Sequence, residues 1–105
     1  MLTLTPAYDI CPQPRSGETA GQAMAFAPGV SASRLELAVK AAATYLLSET
    51  EARTIVDRQI QTIGKEWDEV CDLARLSPEG RTFFKGRQFL NPYAFEGYSS
   101  PSPWR

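Results

Sequence analysis

The chain contains no histidine. That removes imidazole acid–base chemistry, histidine metal ligation and any Ser-His-Asp triad. Cysteine is scarce: Cys11 and Cys71 lie far apart with no Cys-x-x-Cys spacing, which argues against a disulfide framework or a zinc site. Two buried or half-buried thiols in a reducing compartment are expected instead. There is no excess of either charge, with 11 Lys and Arg against 12 Asp and Glu, so direct nucleic-acid binding is not expected. No apolar run approaches the roughly 20 residues of a membrane span, and no membrane partner is expected. The first residues show no basic stretch followed by an apolar run, so a cytoplasmic location is expected. The glycines are scattered and none precedes a Lys-Ser/Thr pair, so no phosphate-binding loop is written in the sequence. A Gly-x-Ser-x-Gly elbow is likewise missing.

What is present suits one small, mainly α domain: 105 residues, 43% hydrophobic and 22% charged. Residues 1–29 hold Pro6, Pro12, Pro14 and Pro28 with Gly17, Gly21 and Gly29, and proline removes a donor and fixes φ, so no long helix crosses them. Leu2 and Leu4 alternate with Thr3 and Thr5, which predicts a short strand. The long loop that follows, residues 6–29, is of the kind that is functional or disordered.

Residues 30–90 read as helical. Ser33 and Glu36 have capping-box spacing, and Leu35, Ala38, Val39, Ala42 and Leu46 follow at helical intervals. Ser48 and Glu51 repeat the signal. Beyond them Ala52, Ile55, Val56, Ile60, Ile63, Trp67, Val70, Cys71 and Ala74 form one apolar stripe, opposite Arg53, Asp57, Arg58, Lys65, Asp68 and Asp72. A helix over residues 49–74 would be roughly 40 Å long, with a bend expected at Gly64, which costs about 1 kcal/mol relative to Ala. Ser77-Pro78 starts a further helix, expected to run to about Leu90 and to stop at Asn91-Pro92. Helical residues 30–92 are thus followed by a tail, residues 93–105, in which Tyr93, Phe95, Tyr98 and Trp104 sit among Gly, Ser and Pro. That tail is expected to lie on a surface or to fray.

Few residues offer chemistry. Glu66, Asp68, Glu69 and Asp72 cluster on one helical stretch, with Asp68 and Asp72 spaced to share a cation; a solvated face offset by Lys65 and Arg75 is the plainer reading. Arg81, Lys85 and Arg87 form a small basic patch, which a helix C-terminus favours without any ligand. Asp9 follows the expected strand, where an aspartate usually serves a turn.

The segment Leu4-Thr5-Pro6-Ala7-Tyr8-Asp9-Ile10-Cys11-Pro12 resembles the corresponding stretch of HipA-like kinases. So do Gln22-Ala23-Met24, Leu46-Leu47-Ser48, Glu51-Ala52-Arg53, Trp67-Asp68-Glu69-Val70 and Gly86-Arg87-Gln88-Phe89-Leu90-Asn91-Pro92. Each motif is short, but their order and spacing cover nearly the whole chain. The resemblance is to the C-terminal portion of these bacterial serine/threonine kinase toxins of toxin–antitoxin systems. It implies the helical C-lobe portion of a HipA or protein-kinase-like fold, preceded by a short strand and a long loop. It implies that Asp9 plays the part of the DFG aspartate, holding Mg²⁺ against the phosphates of ATP. A HipB-like antitoxin or a separate N-terminal kinase half is the implied partner.

The match has a consequential gap. The family's catalytic loop, with its Asp base, His and metal-binding Asn, lies shortly before the Tyr-Asp pair, and only eight residues precede Asp9 here. The nucleotide-binding lobe, with its phosphate-cradling loop and lysine, lies further upstream in the family. Phosphoryl transfer rests on positioning and charge neutralisation, which one carboxylate does not supply. The expectation is a chain without kinase activity, and without Mg²⁺ or ATP, on its own. The expected cost of separation is exposed apolar surface, with Trp67, Phe83, Phe84 and Phe89 as candidates. A stand-alone helical module acting on an intact kinase or its antitoxin is the other reading. A metal-dependent enzyme built on Asp9 with Glu66, Asp68, Glu69 and Asp72 ranks below both.

Overall fold

A computed structural model describes residues 3–7, 21, 25 and 27–104. It is mainly helical: α1 (Leu35–Lys40), α2 (Glu49–Leu73) and α3 (Pro78–Phe84), with 3₁₀ turns at Ala42–Tyr45 and Pro92–Phe95. The expected N-terminal strand is corrected. Residues 3–7 form no strand and Leu4 is 99% exposed; a strand needs a paired neighbour and a buried face to be stable. Ala27 and Val30 close a turn, Val30 N donating to Ala27 O at 2.9 Å. Pro28 suits its first corner, and Gly29, at φ 71°, its second.

The spine is α2, 25 residues and about 37 Å long. Its start is encoded locally. Ser48 Oγ accepts from Glu51 N at 3.1 Å, and the Glu51 carboxylate accepts from Ser48 N at 3.2 Å. Its end is less legible. Leu76 N donates to Cys71 O and Arg75 N to Asp72 O, the Schellman pattern, with Arg75 at φ 54° in the position glycine usually takes. The helix is unbroken at Gly64. The residue serves close approach: a Cβ at Gly64 would sit 2.5 Å from Pro103 Cβ.

The other two helices depart from the sequence reading. α1 begins at Leu35 with Arg34, not Ser33, as its N-cap residue, and the Arg34 side chain makes no cap bond. Glu36 forms an ion pair with Arg34 at 2.8 Å. After Lys40 the chain tightens into the 3₁₀ turn, with Ala41 and Ala42 buried, and Leu46 ends it at φ 60°. α3 has the expected start, Ser77 Oγ accepting from Gly80 N at 3.0 Å. It stops at Phe84 rather than near Leu90, because Lys85 is extended and Gly86 takes φ 75°. Asn91 then caps the last 3₁₀ turn, its Oδ1 accepting from Ala94 N and its Nδ2 donating to Arg87 O.

One face of α2 carries the core in two clusters. Val39, Ile60 and Tyr98 form the first, with Leu35, Val56, Leu90 and Phe95 packed against them. The second is aromatic. Trp67 meets Phe89 at 5.1 Å and Trp104 at 5.2 Å between ring centroids, and Trp104 Nε1 donates to Phe89 O at 2.8 Å. Burying a side chain such as Ile60 stabilises by about 1.5–3 kcal/mol, and each edge-on aromatic pair adds about 0.5–1.5 kcal/mol. Residues 98–104 therefore lie along α2, meeting it from Arg53 to Trp67. Among the described residues no helix is long and apolar enough to cross a membrane.

Candidate functional site

Among the described residues, those singled out from sequence form no common site. Asp9, the Mg²⁺ ligand implied by resemblance, lies outside the described residues, as does Cys11. Cys71 is a free, buried thiol on the inner face of α2. Of the carboxylates on that helix, Asp72 is already engaged: Arg81 Nη2 donates to it at 2.6 Å, while Arg81 Nε donates to Leu76 O at 3.1 Å. The bond to Asp72 holds the Arg81 guanidinium above its ordinary value. Among the described residues no group of three acidic or thiol side chains can hold a metal.

The basic patch is similarly occupied. Lys85 Nζ stands 5.2 Å over the Trp104 ring, and the Arg87 guanidinium lies 5.1 Å over Phe83. With Arg81 bound to Asp72, each of the three cations has an internal partner, so the patch braces the end of α2, α3 and the turn after it. A shallow cleft of about 500 Å³ beside it is lined by Pro78, Glu79, Thr82, Phe83 and Arg87. A second, of about 310 Å³, lies between Phe95 and Trp104, with Glu96 and Ser102 as its polar side chains.

The expectation of exposed aromatics is corrected in part. Trp67 is buried and Phe84 and Phe89 are half-buried; Phe83 remains exposed. Trp104 of the returning tail packs on Trp67 and bonds to Phe89 O, and Phe84 packs on Phe89. The large exposed apolar side chains on the helical body lie elsewhere: Leu46 at 94%, Leu73 at 79%, and Tyr45, Val70 and Ile55. Ile55 and Leu73 are about five turns apart and share one face of α2. Leu46 is unusual twice over. It is exposed, and its backbone is left-handed, a conformation costing a non-glycine residue about 1–2 kcal/mol.

The structure also assembles a polar cluster that sequence reasoning missed. Asp57 Oδ1 accepts from Tyr98 Oη at 2.6 Å and from Ser100 Oγ at 2.8 Å. Arg53, one turn earlier on α2, has its Nε 3.9 Å from Asp57 Oδ2 and its guanidinium 4.7 Å over the Tyr98 ring. It also donates to Ser99 Oγ. The hydroxyl of Tyr98 chiefly, with Ser100 and the Arg53 charge, holds the Asp57 carboxyl below its usual value. Burial, with the bond to Asp57 and its charge, pushes the Tyr98 phenol up to about 12. The phenol stays protonated at neutral pH, as a donor to the carboxylate. The cluster fastens the start of residues 98–104 to α2, and the aromatic cluster fastens their end. The only local clue was the i,i+4 pair Arg53–Asp57, which ordinarily reads as a solvated surface pair.

Comparison of the chain with protein-family models, with curated proteins and with solved structures found no match.

Proposed function

We propose that the chain is the C-terminal helical portion of a HipA-like serine/threonine kinase, a scaffold that does not transfer phosphoryl groups by itself. The order of the motifs from Tyr8-Asp9 to Asn91-Pro92 is what carries the reading. The exposed, left-handed Leu46 adds to it, since it lies within one of those motifs, Leu46-Leu47-Ser48. Its left-handed backbone closes the 3₁₀ turn, Leu46 N donating to Ala43 O and Leu47 N to Ala42 O, while its side chain is given to water. Contact with the N-terminal kinase half would remove the solvent cost. Tyr45, beside it, and the Ile55–Leu73 face of α2 extend the apolar surface such a partner would cover. In the assembled kinase Asp9 would hold Mg²⁺, and the partner half would supply the nucleotide cradle, the general base and the second metal ligand.

The test is co-expression with a separately encoded kinase half bearing the Asn-x-Asp-x-His loop. The expected result is a stable complex whose Mg·ATP-dependent phosphorylation is absent from either half alone and is lost with Leu46→Asp. Millimolar Mg·ATP is expected to leave the melting midpoint of the isolated chain unchanged, because only a ligand of the native state raises it. Steady ATP turnover by the isolated chain, abolished by Asp9→Ala, would overturn the proposal.

A second reading, a stand-alone helical module acting on an intact kinase or its antitoxin, draws on a specific observation. The chain closes a core of its own, Tyr98 of the tail packing on Val39 and Ile60. Capture of an intact kinase or a HipB-like antitoxin, with no kinase half required, would select it over the first.

A further inference from the structure

We propose that Ser99 and Ser100 form a phosphorylation-controlled latch, in which a phosphate on Ser100 releases residues 98–104 from α2. The two serines are neighbours in sequence, yet they face opposite charges. Ser100 Oγ donates to Asp57 Oδ1 at 2.8 Å, on the same oxygen that accepts from Tyr98 at 2.6 Å. Ser99 Oγ accepts from the Arg53 guanidinium. A phosphate carries about −1.5 to −2 charge at neutral pH and only accepts at its ionised oxygens. On Ser100 it would remove the donor and set a near-dianion against a carboxylate. Arg53, the cation that these contacts place nearby, has its Nε 3.9 Å from Asp57 and its fork committed to Ser99. On Ser99 the same phosphate would meet that guanidinium, whose planar fork suits phosphate oxygens, and would tighten the attachment.

The segment is placed for such a switch. Ser99 is exposed, and Ser100 is half-buried and followed by Pro101. Local opening of such a surface segment would give a modifying enzyme access. A separate protein kinase would transfer the γ-phosphoryl group of a nucleoside triphosphate. The Ser100 Oγ–P bond forms, the bond from the γ-phosphorus to the β–γ bridging oxygen breaks, the hydroxyl proton passes to the kinase's base, and the nucleoside diphosphate leaves. Release would withdraw Pro103 from Gly64 and Trp104 from Trp67, uncovering the apolar face of α2 for a partner.

The test uses the full chain with phosphoserine installed at position 100 or at 99, beside Ser100→Ala. The readouts are chymotryptic cleavage after Tyr98, which is buried in the closed state, and tryptophan emission. Phosphoserine at 100 is expected to speed cleavage roughly 10-fold or more and to shift emission to the red, since hydrogen bonds to a charged acceptor are the stronger kind. Phosphoserine at 99 should leave cleavage unchanged or slow it, and Ser100→Ala should speed it only a few-fold. Equal effects of Ser100→Ala and phosphoserine 100 would show that a lost donor suffices, and would overturn the charge mechanism. Protection after Tyr98 that survives phosphorylation at Ser100 would overturn the latch itself. The C-terminal peptide from native cells should carry one phosphate on Ser100 under some growth conditions; its recovery only unmodified would overturn the regulatory assignment.

Discussion

Gly64→Ala separates a local argument from a tertiary one, because the two give opposite signs. In an isolated helix, alanine is better than glycine by about 1 kcal/mol, and Gly64 lies well inside α2. Here a Cβ at that position would lie 2.5 Å from Pro103 Cβ, 3.3 Å from its Cγ and 3.9 Å from its Cα. Proline Cβ is tied into a ring and moves only with its backbone, so the new methyl must displace the tail. Overpacking of this kind costs about 1–3 kcal/mol. The balance is a loss of up to about 2 kcal/mol, with residues 98–104 loosened. Urea titration followed by circular dichroism, which reports the helices, and by tryptophan emission, which reports Trp67 and Trp104, measures both effects. Pro103→Gly is the necessary second background, since it removes the atoms in the way. There Gly64→Ala should recover the helical gain of about 1 kcal/mol, so the two sites should couple. A Gly64→Ala chain that is more stable by the full helical increment in the otherwise unaltered protein would refute the placement of Pro103.

Other expectations follow from single features. Tyr98 has its folded-state pKa raised to about 12 from the usual value near 10, so its contribution is complete below about pH 10. It is lost as pH rises toward 12, and melting midpoints measured across that range should fall in the unaltered chain but fall less in Tyr98→Phe. Asp57, whose pKa is lowered by Tyr98, contributes the opposite way: its share is present above about pH 4 and lost in more acid solution, a dependence that Asp57→Asn should flatten. Arg75→Gly and Leu46→Gly each replace a left-handed residue with the one that adopts this conformation freely. Either should raise stability by about 1 kcal/mol by urea midpoint, and Leu46→Gly should also weaken the proposed kinase-half complex. The amide Nε2 and Oε1 of Gln88 are buried without hydrogen-bond partners, so Gln88→Met should stabilise by about 1 kcal/mol; a lower melting midpoint would indicate that the amide is satisfied.

The interactions that were legible in the sequence are those made within a few residues. The Ser48–Glu51 box and Ser77-Pro78 start helices where expected, because a side-chain oxygen needs only the amides of the next turn. Of the apolar stripe read by its period, Ala52, Ile60, Trp67 and Cys71 are buried, whereas Ile55, Val70 and Ala74 are exposed. Ser33–Glu36 had equally good spacing, yet α1 takes Arg34 as its N-cap residue, and Glu36 pairs with Arg34 at 2.8 Å. Helix ends were harder to place: Leu46 and Arg75 take left-handed turns without being the glycine or asparagine that would signal one.

By itself, then, the sequence determined a small, mainly helical chain, the main helix with its start and inner face, and the absence of imidazole chemistry. Only the tertiary structure decided that the tail returns along α2, that Gly64 makes room for Pro103, and that Asp57 binds Tyr98 and Ser100 across more than forty positions. The division has a physical cause. Helix periodicity and capping are set by bonds between neighbours in the chain, whereas the mate of a surface-reading carboxylate or a bare helical backbone is chosen by which distant segment fits it once the chain has folded.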